Sequence, residues 1–327
     1  MPLSGNFPAS DSKKGWPWDE EVTRSVYQGD SQWPKISIIT PSFNQGQYIE
    51  ETIRSILLQN YPNLEYIIID GGSTDNTLEI IAKYSPWISY WISEKDNGQA
   101  GAINKGLTQS TGDIVNWINS DDYLTAGALL NIANQFKGGL DLLAGCVNNF
   151  NEVAPEISDG YTGVITNKNL SLLAYFCNGG FYYHQPGVWF NRNLFINLRL
   201  NESMHYCFDT ELLLRILAES PNIEYTNDML ANFRLHGQSK TVSSNKKFMA
   251  EFRQIHLRYT QNADPVISAF AQQLIDRKAW ADLLLDLQAA PISKLKKTLS
   301  ILKGITDDPF HRLNRFSLGA LKRVILG

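Results

Sequence analysis

Two adjacent aspartates, Asp121 and Asp122, follow a short apolar run in the stretch WINSDDYL, Trp117 to Leu124. Like charges side by side repel, so such a pair either meets a cation or caps the helix that follows. Two other polar clusters stand behind short β-rich runs: PSFN after Thr40 and DGGSTD after Ile69. Together they offer carboxylate and amide oxygens, an aromatic face at Phe43, and no cation of their own. Carboxylates of this kind bind an anion only through a metal. Mg²⁺ or Mn²⁺ held by one or two carboxylates, and otherwise by substrate phosphate oxygens, suits the residue types.

The elements needed to gather these clusters are legible as periodicity. KISIIT, NLEYIIID, WISYWIS and DIVNWI read as strands, and QYIEETIRSILLQN, GGSTDNTLEIIAKY and GQAGAINKGLTQS read as helices between them. Ser73 or Asp75 is placed to cap the second helix, and Asp122 to cap a helix in LTAGALLNIANQF. Strands alternating with helices at this spacing predict βαβ units and a largely parallel, Rossmann-like α/β sheet flanked by helices. In such a sheet Phe43, Asn44, Asp70, Asn119 and Asp121 converge on one rim beyond the carboxyl ends of the strands.

Composition narrows the class. The 327 residues are 43% hydrophobic and 19% charged, which suits a globular protein with a sizeable core. No apolar run approaches the length needed to span a bilayer, and MPLSGNFPASDSKKGWPW has no signal-peptide core, so a cytoplasmic location is expected. Cys146, Cys177 and Cys207 are too few and too scattered for a disulfide framework or a CxxC metal site, and read as small core hydrophobes. No GxGxxG follows a strand and no GxxxxGK[ST] occurs, which disfavours dinucleotide oxidoreductases and P-loop NTPases.

Five ordered blocks carry a family resemblance: ISIITPSFNQGQYIEETIRSILLQNYPNLEYIIIDGGSTDNT, SEKDNGQAGAINKGL, GDIVNWINSDDYL, FDTELLLRI and FRLHGQSKT. From about Trp16 to Thr241 the chain resembles family-2 glycosyltransferases of the GT-A fold, in the bacterial branch that builds O-antigen and other surface polysaccharides. The resemblance implies an inverting, metal-dependent transfer from a nucleoside-diphosphate sugar, UDP favoured, to a hydroxyl of a glycan or lipid-linked acceptor. The chain then divides into three segments: an irregular arm at 1–34, read from its Gly, Pro, Ser and isolated Trp without periodicity, a GT-A domain at 35–243 where the resemblance lies, and a basic extension at 244–327 with helical apolar spacing. Within the GT-A domain, 35–145 would hold the nucleotide sugar and 146–243 the acceptor and the catalytic base.

Roles follow by position. Pro41, Phe43 and Asn44 would surround base and ribose, and Asp70 would accept from a uracil-like N3–H. The family's Asp-x-Asp falls on Asn119, Ser120 and Asp121, which leaves Asp121 as the main ligand for Mg or Mn, with His236 beside it. Asp209 would be the catalytic base; an acceptor hydroxyl is too weak an acid to attack unaided. Its local alternative is an N-cap for the helix that follows. Lys105 and Arg234 are candidate diphosphate contacts, and His184 and Gln185 candidate acceptor-side contacts. Many relatives carry an acidic residue where this chain has Gly101.

Two rivals are weighed. A nucleotidyltransferase would need a basic Gly-rich loop that PSFNQGQY lacks. A catalytically impaired nucleotide-sugar or glycan-binding module is suggested by Asn119 and Phe208 standing at commonly acidic positions, and opposed by Asp70, Asp121 and Asp209 occurring together. From Lys294 onward eight Lys and Arg stand against two Asp, a net +6, while the rest carries 21 basic against 31 acidic residues, −10. That asymmetry leaves two readings open: peripheral contact with the inner face of the cell membrane, or helices packed on the catalytic domain with basic outer faces. A nucleic-acid partner has little support, since the cleft is acidic.

Overall fold

The computed structural model describes residues 7–9, 13–29, 32–136, 139–151, 163–178, 183–237 and 245–326. β1 (Ile36–Ser42) is buried along its whole length because parallel neighbours flank it on both sides. One neighbour is β2 (Leu64–Asp70), which pairs in turn with β3 (Tyr90–Ser93); the other is β4 (Ile114–Trp117). α1 (Ile49–Leu57), α2 (Thr77–Tyr84) and α3 (Gln99–Gln109) form the crossovers. Chain order runs outward from β1 through β2 to β3 and then returns to β4, so a topological switch point lies between β1 and β4.

Beyond β4 the sheet becomes mixed. β5 (Tyr123–Leu124) is followed by α4 (Ala128–Gln135), β6 (Leu142–Asn151), β7 (Gly163–Thr166), α5 (Leu172–Asn178), β8 (Val188–Asn191), α6 (Arg192–Leu198), α7 (Phe208–Ala218) and β9 (Ile223–Leu235). The order is β3-β2-β1-β4-β8-β6-β9-β5, with β7 on β6; β6 and β9 run parallel, while β8, β5 and β7 pair antiparallel. Ile38, Ile53, Ile56, Ile68, Leu129, Leu143 and Trp189 belong to one buried core cluster.

Local capping agrees with the expectation at one place and differs at another. α2 begins after Asn76, and Asp75 accepts from the N–H of its first residue, Thr77, as well as from Gly46 N, while Ser73 turns to Asp70. α4 begins after Gly127, whose φ of 78° favours glycine, so Asp122 caps nothing there. The intervening β5 exists because it pairs with a strand more than 100 residues away, Tyr123 opposite Asn232. Cys146 and Cys207 are buried as expected, whereas Cys177 is exposed.

The arm before β1 is tied to α1. Arg54 is 3% exposed and donates to the carbonyls of Pro8, Pro17 and Trp18 and to the Tyr84 hydroxyl, while the Trp16 indole N–H donates to Leu124 O.

Contacts divide the chain into two units: 1–172 with 181–248, and 173–180 with 249–327. The second is helical, with α9 (Pro265–Ala289), α10 (Lys294–Asp307), α11 (Pro309–Arg312) and α12 (Arg315–Leu326). α8 (Asn245–Tyr259) runs from the first into the second. Among the described residues no helix is long and apolar enough to cross a membrane.

Candidate active site

The loops after β1 and β2 hold one another. Backbone N–H groups of Asn44, Gln45 and Gly46 donate to Ser73 Oγ, Thr77 Oγ1 and Asp75 Oδ2, and Asn44 Oδ1 accepts from Thr74 N at 2.8 Å. This brace leaves the Phe43 ring 58% exposed on the rim, so it is no core residue. An exposed ring fixed at its backbone is a preformed wall for a flat ligand. Pro41 lies within β1, buried opposite Ile69.

Asp70 is fully buried and already engaged. Its carboxylate accepts from Gly72 N, Ser73 N, Ser73 Oγ and Ser93 Oγ, at 2.5–3.0 Å. Four donors around one carboxylate make it the organiser of the loop, in place of the expected open acceptor for a base. Asp96, which sequence reading did not single out, lies over that loop: a Cβ on Gly71 would sit 3.0 Å from Asp96 Oδ2. The signal for it was faint, a carboxylate two residues before a glycine of positive φ, Gly98.

The NSDD loop answers the question its charges pose. Asp122 is 1% exposed, and its carboxylate accepts from Arg234 N at 3.0 Å and Asn119 Nδ2 at 3.2 Å. Burial, reinforced by the Asp121 charge, pushes its carboxyl well above the usual range. Asp121 instead faces His236 beyond the end of β9, Oδ2 to Nε2 at 3.0 Å, and its side chain keeps 22% exposure. The Tyr48 ring lies 4.8 Å from the imidazole. One acidic group of the pair is therefore inside, with its charged form disfavoured by burial; the other keeps partial exposure beside an imidazole.

Arg234 is a correction. Expected near a diphosphate, it is 3% exposed, with Nη2 on Glu51 at 2.6 Å, Nε on Asp121 O at 2.9 Å, and its guanidinium between the Tyr48 and Phe150 rings. Thr52 Oγ1 donates to Asp122 O at 2.6 Å. The loop is thus clamped from behind by β9 and α1. Asn119 is also turned inward, accepting from Gln99 Nε2 at 2.7 Å while donating to Asp122, and Ser120 is buried. Lys105 pairs with Glu94 and is one-third exposed.

Asp209 lies in the first turn of α7, whose N-cap is Cys207, so the capping alternative does not describe it. Burial raises its carboxyl above the ordinary 3.8; the Thr210 N–H, at 2.7 Å, and the Tyr183 hydroxyl work in the opposite direction. A carboxylate with a raised pKa is a better proton acceptor than a solvated one. Tyr183 is two residues from Gln185, whose Nε2 donates to Asn116 Oδ1 at 2.6 Å and Trp117 O at 3.0 Å. That extended tripeptide spans about 7 Å between its end Cα atoms and links the surroundings of Asp209 to the end of β4. Gln185 is itself buried, with its Nε2 committed to this tie and its Oε1 left without a hydrogen-bond partner among the described residues. His184 stacks on Phe233 at 4.4 Å, and burial pushes its imidazole down to about 4, so it is neutral at physiological pH.

Glu202 reaches Gly101 from outside its helix. A Cβ on Gly101 would lie 3.6 Å from its Oε2, and Asn104 Nδ2 holds its Oε1 at 2.9 Å.

The sheet, parallel about a switch point between β1 and β4 and mixed beyond it, has the GT-A fold of glycosyltransferases. Solved structures agree: mannosyltransferase PcManGT from Pyrobaculum calidifontis, in complex with GDP-Man and Mn²⁺, matches with a TM-score of 0.58 at 18% identity, over 90% of this chain and 88% of that one. S. aureus TarS 1-349, in complex with UDP-GlcNAc, matches at 0.57 and 18%, over 89% and 90%. Residues 37–199 match the model of glycosyl transferase family 2, and through that domain the chain belongs to this family. Chondroitin synthase of Escherichia coli is 28% identical over 216 residues, 64% of this chain and 30% of that protein. The chain spans about a third of the length of the curated relatives it matches.

Proposed function

We propose that the chain transfers a sugar from a nucleoside-diphosphate sugar to a hydroxyl of a glycan or lipid-linked acceptor, inverting the anomeric carbon, in synthesis of a cell-surface polysaccharide of O-antigen type. The observation that carries this reading is the Asp121–His236 pair at the switch point, split from a buried Asp122.

The pair suits a divalent cation. One carboxylate and one imidazole converge at 3.0 Å, and among the described residues no group of three or more His, Cys, Asp and Glu gathers around a common point. Diphosphate oxygens and water would complete such a site, as Mg²⁺ and Mn²⁺ allow. When bound, the cation neutralises charge on the departing diphosphate. The chain's own groups do the rest. Phe43 presents its face to the base, and Asp96, whose Oδ1 accepts from Gly98 N at 2.8 Å, offers its other carboxylate oxygen there, with Asp70 holding the loop beneath. Asp209 takes the proton from the acceptor hydroxyl as the new C–O bond forms and the bond to the nucleotide breaks; one displacement inverts the centre. Glu202, over Gly101, is placed to meet donor-sugar hydroxyls. UDP is favoured over dTDP and GDP by family resemblance, and nucleotide-sugar complexes of fold neighbours support the donor class.

Isothermal titration with UDP, dTDP and GDP, with and without Mn²⁺, tests the reading. One nucleotide is expected to bind the wild type more tightly with metal, and the metal-dependent increment is expected to vanish in Asp121→Ala. A folded wild type that binds no nucleotide would remove the donor site and favour a glycan-binding module. Phe43→Ala is expected to weaken the same nucleotide by about 1–2 kcal/mol, the worth of one stacking face. Because the ring is exposed, the melting temperature should stay unchanged; a destabilised variant would mean the ring packs rather than binds.

A further inference from the structure

The C-terminal unit carries two apolar faces where packing uses one. In α10, Ile301 and Ile305 join Trp280 and Leu284 of α9 and Ala320 and Val324 of α12 in a buried cluster. On the same helix Leu295, Leu299 and Leu302 recur at spacings of four and three, so they form a single stripe; they are 69, 56 and 43% exposed. At 3.6 residues per turn this stripe lies roughly 110° around the helix from the buried isoleucines. Lys296 and Lys303 flank it. On α12, Leu318 and Ile325 are 50 and 51% exposed on one side, with Arg315 and Lys322 next to them. Helices that only braced a catalytic domain would carry polar residues at these positions.

We propose that the outward faces of α10 and α12 dock on an anionic phospholipid surface. The leucine stripe enters the boundary between headgroups and acyl chains, and the flanking lysines meet lipid phosphates. Charge selects this occupant. Eight Lys and Arg against two Asp from Lys294 onward would set +6 against +6 in a pairing with a second copy. Because no described helix can cross a membrane, the contact lies in the interface plane. Docking would concentrate the enzyme where lipid-linked saccharides reside, yet it does not depend on the transferase reading.

Cosedimentation of the full chain with vesicles of phosphatidylcholine alone, and of phosphatidylcholine mixed with phosphatidylglycerol, needs neither donor nor turnover. Binding is expected only with the anionic lipid, weakened by salt. The triple variant L295Q/L299Q/L302Q, checked for an unchanged helical spectrum, is expected to lose at least about tenfold in partitioning. The double variant K296Q/K303Q is expected to lose about fivefold per lysine and leaves the apolar face intact. No binding by the wild type, equal binding to neutral vesicles, or unaltered binding by both variants would overturn the proposal. Self-association of the wild type in sedimentation velocity, abolished by the triple variant, would also overturn it and assign the face to a second copy.

Discussion

Asp209→Asn is expected to lower kcat by about a hundred- to ten-thousandfold while nucleotide affinity holds within about twofold, the signature of a lost general base. Asparagine keeps the shape and the contact with the Thr210 N–H, so a purely structural role predicts no such loss. The pH profile gives a second reading. Burial raises this carboxyl above 3.8, so wild-type activity is present above the raised value and lost as pH falls through it, earlier than for a solvated aspartate. The stability sign is opposite. Because the folded pKa is above the unfolded one, stability declines as pH rises from the unfolded to the folded value, and above that the ionised carboxylate is a standing cost. Asp209→Asn should therefore melt no lower than wild type at neutral pH. A variant that is both unstable and weak in binding nucleotide would show that the residue supports the fold, and the base would have to be sought elsewhere.

Arg234→Ala is expected to destabilise the protein by about 3–5 kcal/mol, read as a lower urea midpoint at unchanged slope. The guanidinium is buried, and removing it strands Glu51, whose side chain is 19% exposed, and leaves the Asp121 carbonyl without its donor. The ring contacts with Tyr48 and Phe150 go with it. Metal-dependent nucleotide binding should fall in parallel, because the clamp sets the direction of Asp121. An exposed diphosphate ligand would behave differently: affinity would drop with the midpoint unmoved. That outcome would restore the role expected from sequence.

Why one arginine could be misread and the fold around it read well is a matter of range. The alternation of apolar strands with amphipathic helices is local, so the βαβ half and its switch point are legible in KISIIT, NLEYIIID and DIVNWI. The placement of Phe43 and Asp121 just beyond strand ends is legible for the same reason, the one immediately after β1 and the other four residues after β4. The partners of Arg234 are not: Glu51 is 183 residues away along the chain. Nor is β5, which depends on β9; without that pairing, Asp122 ahead of an apolar run has the local appearance of a helix cap. The Asp70 carboxylate and the Gln185 amide nitrogen look available in one dimension, and only the folded chain reveals the partners they take inside.

α1 is the part of the fold where these distant ties meet. Within two turns, Glu51 and Thr52 hold the loop that bears Asp121 and Asp122, Arg54 holds the carbonyls of the N-terminal arm, and Ser55 Oγ accepts from Leu124 N. Shortening the chain to start at β1 would leave the Arg54 guanidinium without three of its four acceptors, on the helix whose previous turn sets the position of Asp121. The segment before β1 is therefore a splint for the loop that bears Asp121, and truncation at the first strand is expected to register as weakened nucleotide binding.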